Sequence, residues 1–138
     1  MNESVVINNA FNLAKIAHHG QFRRDGVTPY FNHPKDVARR VTKYGYKYIV
    51  VAYLHDVLED TKTTVKNLFD AGFDEDIVTA VMLLTKDNRL SYDEYLRLIK
   101  ANDLARLVKL ADMLSNLADD PTDKQITKYV NGISYLIQ

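Results

Sequence analysis

The chain has 138 residues, 46% of them hydrophobic, which is enough for one buried core and short for two domains. Lysines and arginines number 18 against 18 acids, so no bulk charge draws the protein to DNA, RNA or a membrane surface, and any anion must be met by a local cluster. There is no cysteine, hence no disulfide or thiolate metal site, and no secretory start or apolar run of the roughly 20 residues a bilayer span needs; the default expectation is cytoplasmic.

Apolar residues recur at helical spacing almost throughout, with turn residues between the periodic segments, which predicts an all-α fold in one domain over 1–138. A first helix is expected from Ser4, as N-cap, to His18 or His19, with Gly20 as its stop. "GQFRRDGVTPYFN" has no sustained period and reads as a loop reaching Asn32. Pro34 suits the first turn of a helix carrying Val37, Ala38 and Val41 and ending near Gly45. A third helix is expected from Tyr46 to Leu58 or a little beyond. Thr63 or Thr64 caps a short helix that stops at Gly72, and another covers Glu75 to Leu84. "SYDE" at Ser91 to Glu94 matches a capping box and opens a helix towards Lys100. Asn102 or Asp103 caps a helix through Leu117, and Pro121 leads into the last one.

The third helix carries the chemistry. In "YLHDVLED", His55, Asp56, Glu59 and Asp60 share one arc of a continuous helix, while Val51, Leu54, Val57 and Leu58 share the other. A solvated polar face would explain such a cluster. The preceding "YIVVAYL", however, is apolar all round, as in a buried helix, and adjacent carboxylates repel unless a cation or proton bridges them. His33 stands just before Pro34, and "KLADMLSN" places Lys109, Asp112 and Asn116 on one helical face opposite Leu107, Leu110, Leu114 and Leu117. Singly, His33 could cap its helix and Asp112 could pair with a lysine. Together, His33, His55, Asp56 and Asp112 form a nitrogen and oxygen set suited to Mn²⁺, Fe²⁺ or Zn²⁺.

"AHHGQFRRDGVTPYFNHPKDVA", "AYLHDVLEDT", "LLTK" and "KLADMLSN" resemble, in that order, the signatures of RelA/SpoT-type alarmone hydrolases, and of the small stand-alone type in particular, within the HD superfamily of metal-dependent phosphohydrolases. The resemblance runs from about Ala14 to Asn116 and implies an HD-type helical bundle. It implies that His33, His55, Asp56 and Asp112 hold one divalent ion, Mn²⁺ in this family, and that Glu59 and Asp60 orient and deprotonate the attacking water. It also places Arg23 and Arg24 along the nucleotide site and Asn116 near the nucleoside. Tyr30 either stacks on a base or packs its loop; Lys86 and Lys109 are cationic candidates for the phosphates or ordinary surface lysines. His18 fits the same pattern or simply closes the first helix.

Met113 and Ser115 depart from that pattern, standing where the family usually has a basic residue and a histidine or tyrosine. The expected activity is removal of the 3′-diphosphate from (p)ppGpp, giving GDP or GTP and pyrophosphate. The alternatives are a phosphatase acting on another nucleotide, such as the 2′-phosphate of NADPH or ppApp, and a nucleotide-binding module without chemistry. A partner subunit completing the pocket, as a homo-oligomer, is left open.

Overall fold

In a computed structural model the described residues are 2–138, and they form helices α1 (Glu3–Ala17), α2 (Asn32–Arg40), α3 (Tyr46–Leu54), α4 (Val57–Asp60), α5 (Val65–Asp70), α6 (Glu75–Leu84), α7 (Tyr92–Lys100), α8 (Asp103–Leu117) and α9 (Asp123–Leu136). A short 3₁₀ turn, Thr42–Tyr44, follows α2, and the only extended pairing among the described residues is an isolated bridge between Phe22 and Pro29. The all-α expectation holds. α3 is the central helix: Val50, Val51, Ala52 and Leu54 are buried, and it packs against α1, α2, α6 and α8.

Helix starts follow local hydrogen bonding. Asn2, not Ser4, caps α1: its extended backbone lets the side chain accept from the Val5 amide at 2.9 Å, and Ser4 then falls in the first turn. Thr64 with Asn67, Ser91 with Glu94 and Thr122 with Gln125 all form reciprocal capping boxes, and Asn102 caps α8 through the Ala105 amide. Segment 20–31 is a pinned turn. Arg23 and Thr28 pair through the backbone, and the Asp25 carboxylate accepts from the Val27 and Thr28 amides and the Thr28 hydroxyl.

One expectation is corrected. The helix expected from Tyr46 past Leu58 is broken at His55–Asp56, so the four polar residues do not share the arc of a continuous helix. A continuing helix would give the Ala52 carbonyl to the Asp56 amide; His55 Nδ1 takes it instead, at 2.6 Å, and Asp56 turns to φ −107°, ψ −1° before α4 begins. On α8 the face carrying the four leucines is not the core face. Leu114 is 46% exposed and Leu107, Leu110 and Leu117 are half-buried, whereas Val108, Ala111, Asp112, Met113 and Ser115 are buried. The polar strip of α8 therefore points into the bundle, towards α2 and α3.

Candidate metal centre

α2, the α3–α4 break and α8 bring His33, His55 and Asp112 together in the interior, each offering one ligand atom within 4.8 Å of the others. Asp56 groups instead with Glu59 and Asp60, but its Oδ2 lies 3.0 Å from His55 Nε2 and 4.0 Å from His33 Nε2, so it joins the two sets.

The protons show what this cluster lacks. Because a carbonyl only accepts, His55 Nδ1 must carry the hydrogen it donates to Ala52, which leaves a lone pair on Nε2 of the neutral ring. That Nε2 is buried and has no hydrogen-bond partner, yet it faces Asp56 Oδ2 at 3.0 Å and Asp112 Oδ1 at 3.4 Å. Lone pairs of one nitrogen and two carboxylates thus converge with nothing positive between them. Either a proton or a metal ion must sit there. Burial opposes charging of His55, but the Asp56 and Asp112 carboxylates outweigh it and hold its pKa well above the usual imidazole value. Burial likewise works against ionised Asp112, and Lys109, His33 and His55 overcome it, keeping this carboxyl well below its usual range. The residues present, two imidazoles and hard carboxylate oxygens, fit a divalent transition-metal ion.

The surrounding groups hold these side chains in place. His33 Nε2 lies 2.7 Å from Asp112 Oδ1, and its Nδ1 lies 3.1 Å from Ser115 Oγ. Lys109 donates to the second Asp112 oxygen at 3.0 Å, with its ammonium 5.4 Å from the centre of the Tyr95 ring. The Asn116 amide donates to Asp112 Oδ1 at 3.3 Å. Tyr30 is half-buried between His18 and His33 and donates its hydroxyl to Asp56 Oδ2 at 2.5 Å; burial, and then the negative charge of Asp56, hold that phenol well above its usual pKa. Its ring therefore packs against two imidazoles while its hydroxyl holds Asp56.

Glu59 and Asp60 are exposed and group with the half-buried Asp56. Glu59 Oε1 accepts from the Lys86 backbone amide at 2.7 Å, while Lys86 Nζ turns to the carbonyls of Asp87 and Leu90, so Lys86 meets the site through its main chain. Partial burial, then the charges of Asp56 and Glu59, raise Asp60 to about 6. Arg23 lies 5.7 Å from the centre of the Tyr30 ring, bonded to Asn116 Oδ1 at 3.3 Å and clamped on Asp119 at 2.7 Å. Arg24 is further out, on the carbonyls of Asp119 and Asp120.

No family model matches the chain. The MESH1 guanosine-3′,5′-bis(diphosphate) 3′-pyrophosphohydrolase of Xenopus tropicalis is 37% identical over 127 residues, covering 85% of this chain and 70% of the relative. The chain belongs to this pyrophosphohydrolase family. Human MESH1 is 39% identical over the same 85% and 70% of the two chains. The family member of Aquifex aeolicus is 35% identical over 121 residues, where the match spans 80% of this chain and 17% of that much longer relative. A solved structure described as a metazoan ortholog of SpoT that hydrolyzes ppGpp superposes with a TM-score of 0.80 at 26% identity, covering 100% of this chain and 88% of the other.

Three features of this pyrophosphohydrolase site lie beyond the sequence reading. Tyr129 of α9 is half-buried in the field of Asp112, Lys109, Arg23 and Arg24; burial leads the upward shift of its phenol. It lies outside the span that the motifs cover, and the packing of α9 on α8 brings it within the field of these charges. Ser115 contacts the His33 ring, although in sequence it stood out only as a departure. His18 is buried, with Nδ1 2.8 Å from Gln21 Oε1 and Nε2 unpartnered, and Gln21 in turn donates to the Asp60 carbonyl, so His18 braces the acidic rim.

Proposed function

We propose that this chain hydrolyses guanosine 3′,5′-bis(diphosphate) at the 3′ position, with His33, His55, Asp56 and Asp112 holding one Mn²⁺ and Glu59 and Asp60 handling the proton of the attacking water. The observation that carries the reading is the unpartnered, buried lone pair of His55 Nε2 aimed at two carboxylates, in a chain whose relatives carry this activity in their names.

In the reaction, water adds to the phosphorus bonded to O3′, the P–O3′ bond breaks, and pyrophosphate leaves the nucleoside with a 3′-hydroxyl. A bound divalent cation supplies positive charge against the phosphoryl oxygens and acidifies water. Glu59 and Asp60, next to the ligand Asp56 but outside the histidine cluster, take the water proton. The Lys86 amide keeps Glu59 turned towards the pocket. Arg23, with Asn116 and Tyr129 beside it, meets the nucleotide at the other rim; a guanidinium can exchange a carboxylate for phosphate oxygens in the same forked geometry. Lys109 stays on Asp112 and serves the ligand, and Arg24 extends the positive rim outward.

The test is incubation of the purified protein with ppGpp, pppGpp, ppApp and NADPH, each with Mn²⁺ and with chelator. The expected outcome is release of pyrophosphate from ppGpp and pppGpp in the presence of Mn²⁺ alone. Turnover confined to NADPH would replace the substrate, and no turnover of any would leave a binding module.

A further inference from the structure

Glu59 is held by main chain, and that stretch of main chain is held by a side chain. α6 ends at Leu84: the Thr85 amide takes the Met82 carbonyl at 3.2 Å, and Thr85 then turns extended, to φ −85° and ψ 117°. In a continuing helix the Lys86 amide would close onto Met82. It points out of the helix instead, and Glu59 Oε1 accepts from it at 2.7 Å. The bond fixes one oxygen of the carboxylate and leaves the other for water.

An amide in a turn keeps its direction only if the turn is rigid. Residues 85–90 form this turn, and the Lys86 side chain closes it. Lys86 is half-buried; its ammonium donates to the Asp87 carbonyl at 2.8 Å and to the Leu90 carbonyl, 6.0 Å from the centre of the Tyr95 ring. The Leu90 amide donates to the Asp87 carbonyl at 3.0 Å, and the buried Tyr95 donates its hydroxyl to the Leu84 carbonyl at 2.6 Å, tying the end of α6 to α7. A lysine with nothing to hold keeps its strongly hydrated ammonium in water; this one is turned onto carbonyls of its own segment.

We propose that Lys86 is a positioning residue, its ammonium bracing the 85–90 turn so that its own backbone amide keeps Glu59 aimed at the acidic cluster. Glu59 needs such a restraint. It is exposed, and oxygens of Glu59, Asp56 and Asp60 lie within 4.8 Å of one another, where like charges drive a mobile carboxylate out into solvent. The amide opposes that swing without adding a competing side-chain cation to the cluster. The consequence for the reaction rests on the proposed role of Glu59 as proton acceptor; the brace itself does not.

The experiment compares the full-length parent with Lys86→Met, Lys86→Arg, Glu59→Ala and the double variant Lys86→Met/Glu59→Ala. Hydrolysis of ppGpp with Mn²⁺ gives kcat and KM, and hydrogen exchange in chelator gives the protection of the residue-86 amide. Lys86→Met is expected to lower kcat about 10–100-fold with KM unchanged. Lys86→Arg, whose fork can also reach two carbonyls, should recover most of kcat, and Lys86→Met should cost nothing further once Glu59 is alanine. The Lys86 amide should exchange slowly in the parent and faster in Glu59→Ala and Lys86→Met. A raised KM with kcat kept would give the ammonium to the phosphates and overturn the proposal, as would a full Lys86→Met loss on top of Glu59→Ala. An amide that exchanges in the parent as fast as in an open turn would overturn it too, and that result needs no variant to fold. A parent that spares ppGpp sinks the proposed function alone; amide exchange in the parent and Lys86→Met then decides the brace.

Discussion

Asp60 is a carboxyl whose surroundings resist its charge. Partial burial comes first, and the neighbouring Asp56 and Glu59 add to it, so that the folded protein holds Asp60 at about 6, above the ordinary aspartate range. A folded-state pKa raised in this way costs stability once the group ionises. The penalty is absent below about 4, grows as pH rises, and is complete above about 6. Asp60→Asn is therefore expected to stabilise the metal-free protein at pH 7.5, by at most about 1 kcal/mol because solvent reaches this side chain, and to leave it unchanged at pH 4. Thermal unfolding of parent and variant in chelator at the two pH values checks this; an equal shift at both would remove the charge from the explanation. Residue types were the most legible part of the site. The order His33, His-Asp at 55–56, Glu-Asp at 59–60 and Asp112 can be read from the chain because the chemistry restricts what can stand there. The protons were not legible. The Ala52 carbonyl and the Ser115 hydroxyl act through direction, and direction appears only once the backbone is placed.

At the scale of elements, most helix ends were legible because caps are local. Ser91 with Glu94 and Thr64 with Asn67 are separated by three residues and need nothing from the rest of the fold. The break at His55–Asp56 was not, because apolar periodicity runs through it and the interruption comes from a side chain competing for one carbonyl. Which face of α8 is buried was not legible for a related reason: periodicity separates two faces but does not say which is inside, and here the inner one carries Asp112 and Ser115. How closely α9 approaches α8 is set by Gly132. A Cβ there would lie 2.7 Å from Met113 Cε and 3.1 Å from Sδ, with Leu96 Cδ1 at 3.7 Å. Methionine can yield to one methyl, but a branched side chain meets both neighbours. Gly132→Val is expected to cost about 1–3 kcal/mol in urea unfolding. Met113→Ala alone leaves a cavity and costs about 2–5 kcal/mol, and because the two changes act on one volume, the double variant should lose clearly less than their sum. Strict additivity would mean that the two side chains do not meet.

Across the whole molecule, the fold draws acids from separate helices into one pocket and leaves much of their charge uncompensated. Asp56, Glu59 and Asp60 gather at the α3–α4 break, Asp112 arrives from α8, and Lys109 is the cation bonded directly to Asp112. The four side chains proposed to hold the ion span 33 to 112 in sequence, so they converge only when α2, α3 and α8 are packed, and a cation bound there binds the folded chain in preference to the unfolded one. By mass action, Mn²⁺ at one hundred times its dissociation constant should add about 2.7 kcal/mol, which for a chain of this size is a rise in melting temperature on the order of 10 °C. Chelator should reverse the rise completely. The formal net charge is zero, with 18 basic and 18 acidic residues, so general screening of a highly charged surface does not produce a comparable effect; NaCl at equal ionic strength is the control. The same titration on Asp112→Ala removes the carboxylate that both histidines approach, and should abolish the rise while the melting temperature in chelator is still measurable. A parent whose melting temperature ignores Mn²⁺, or a variant that retains the full rise, would mean that these four side chains do not hold the ion.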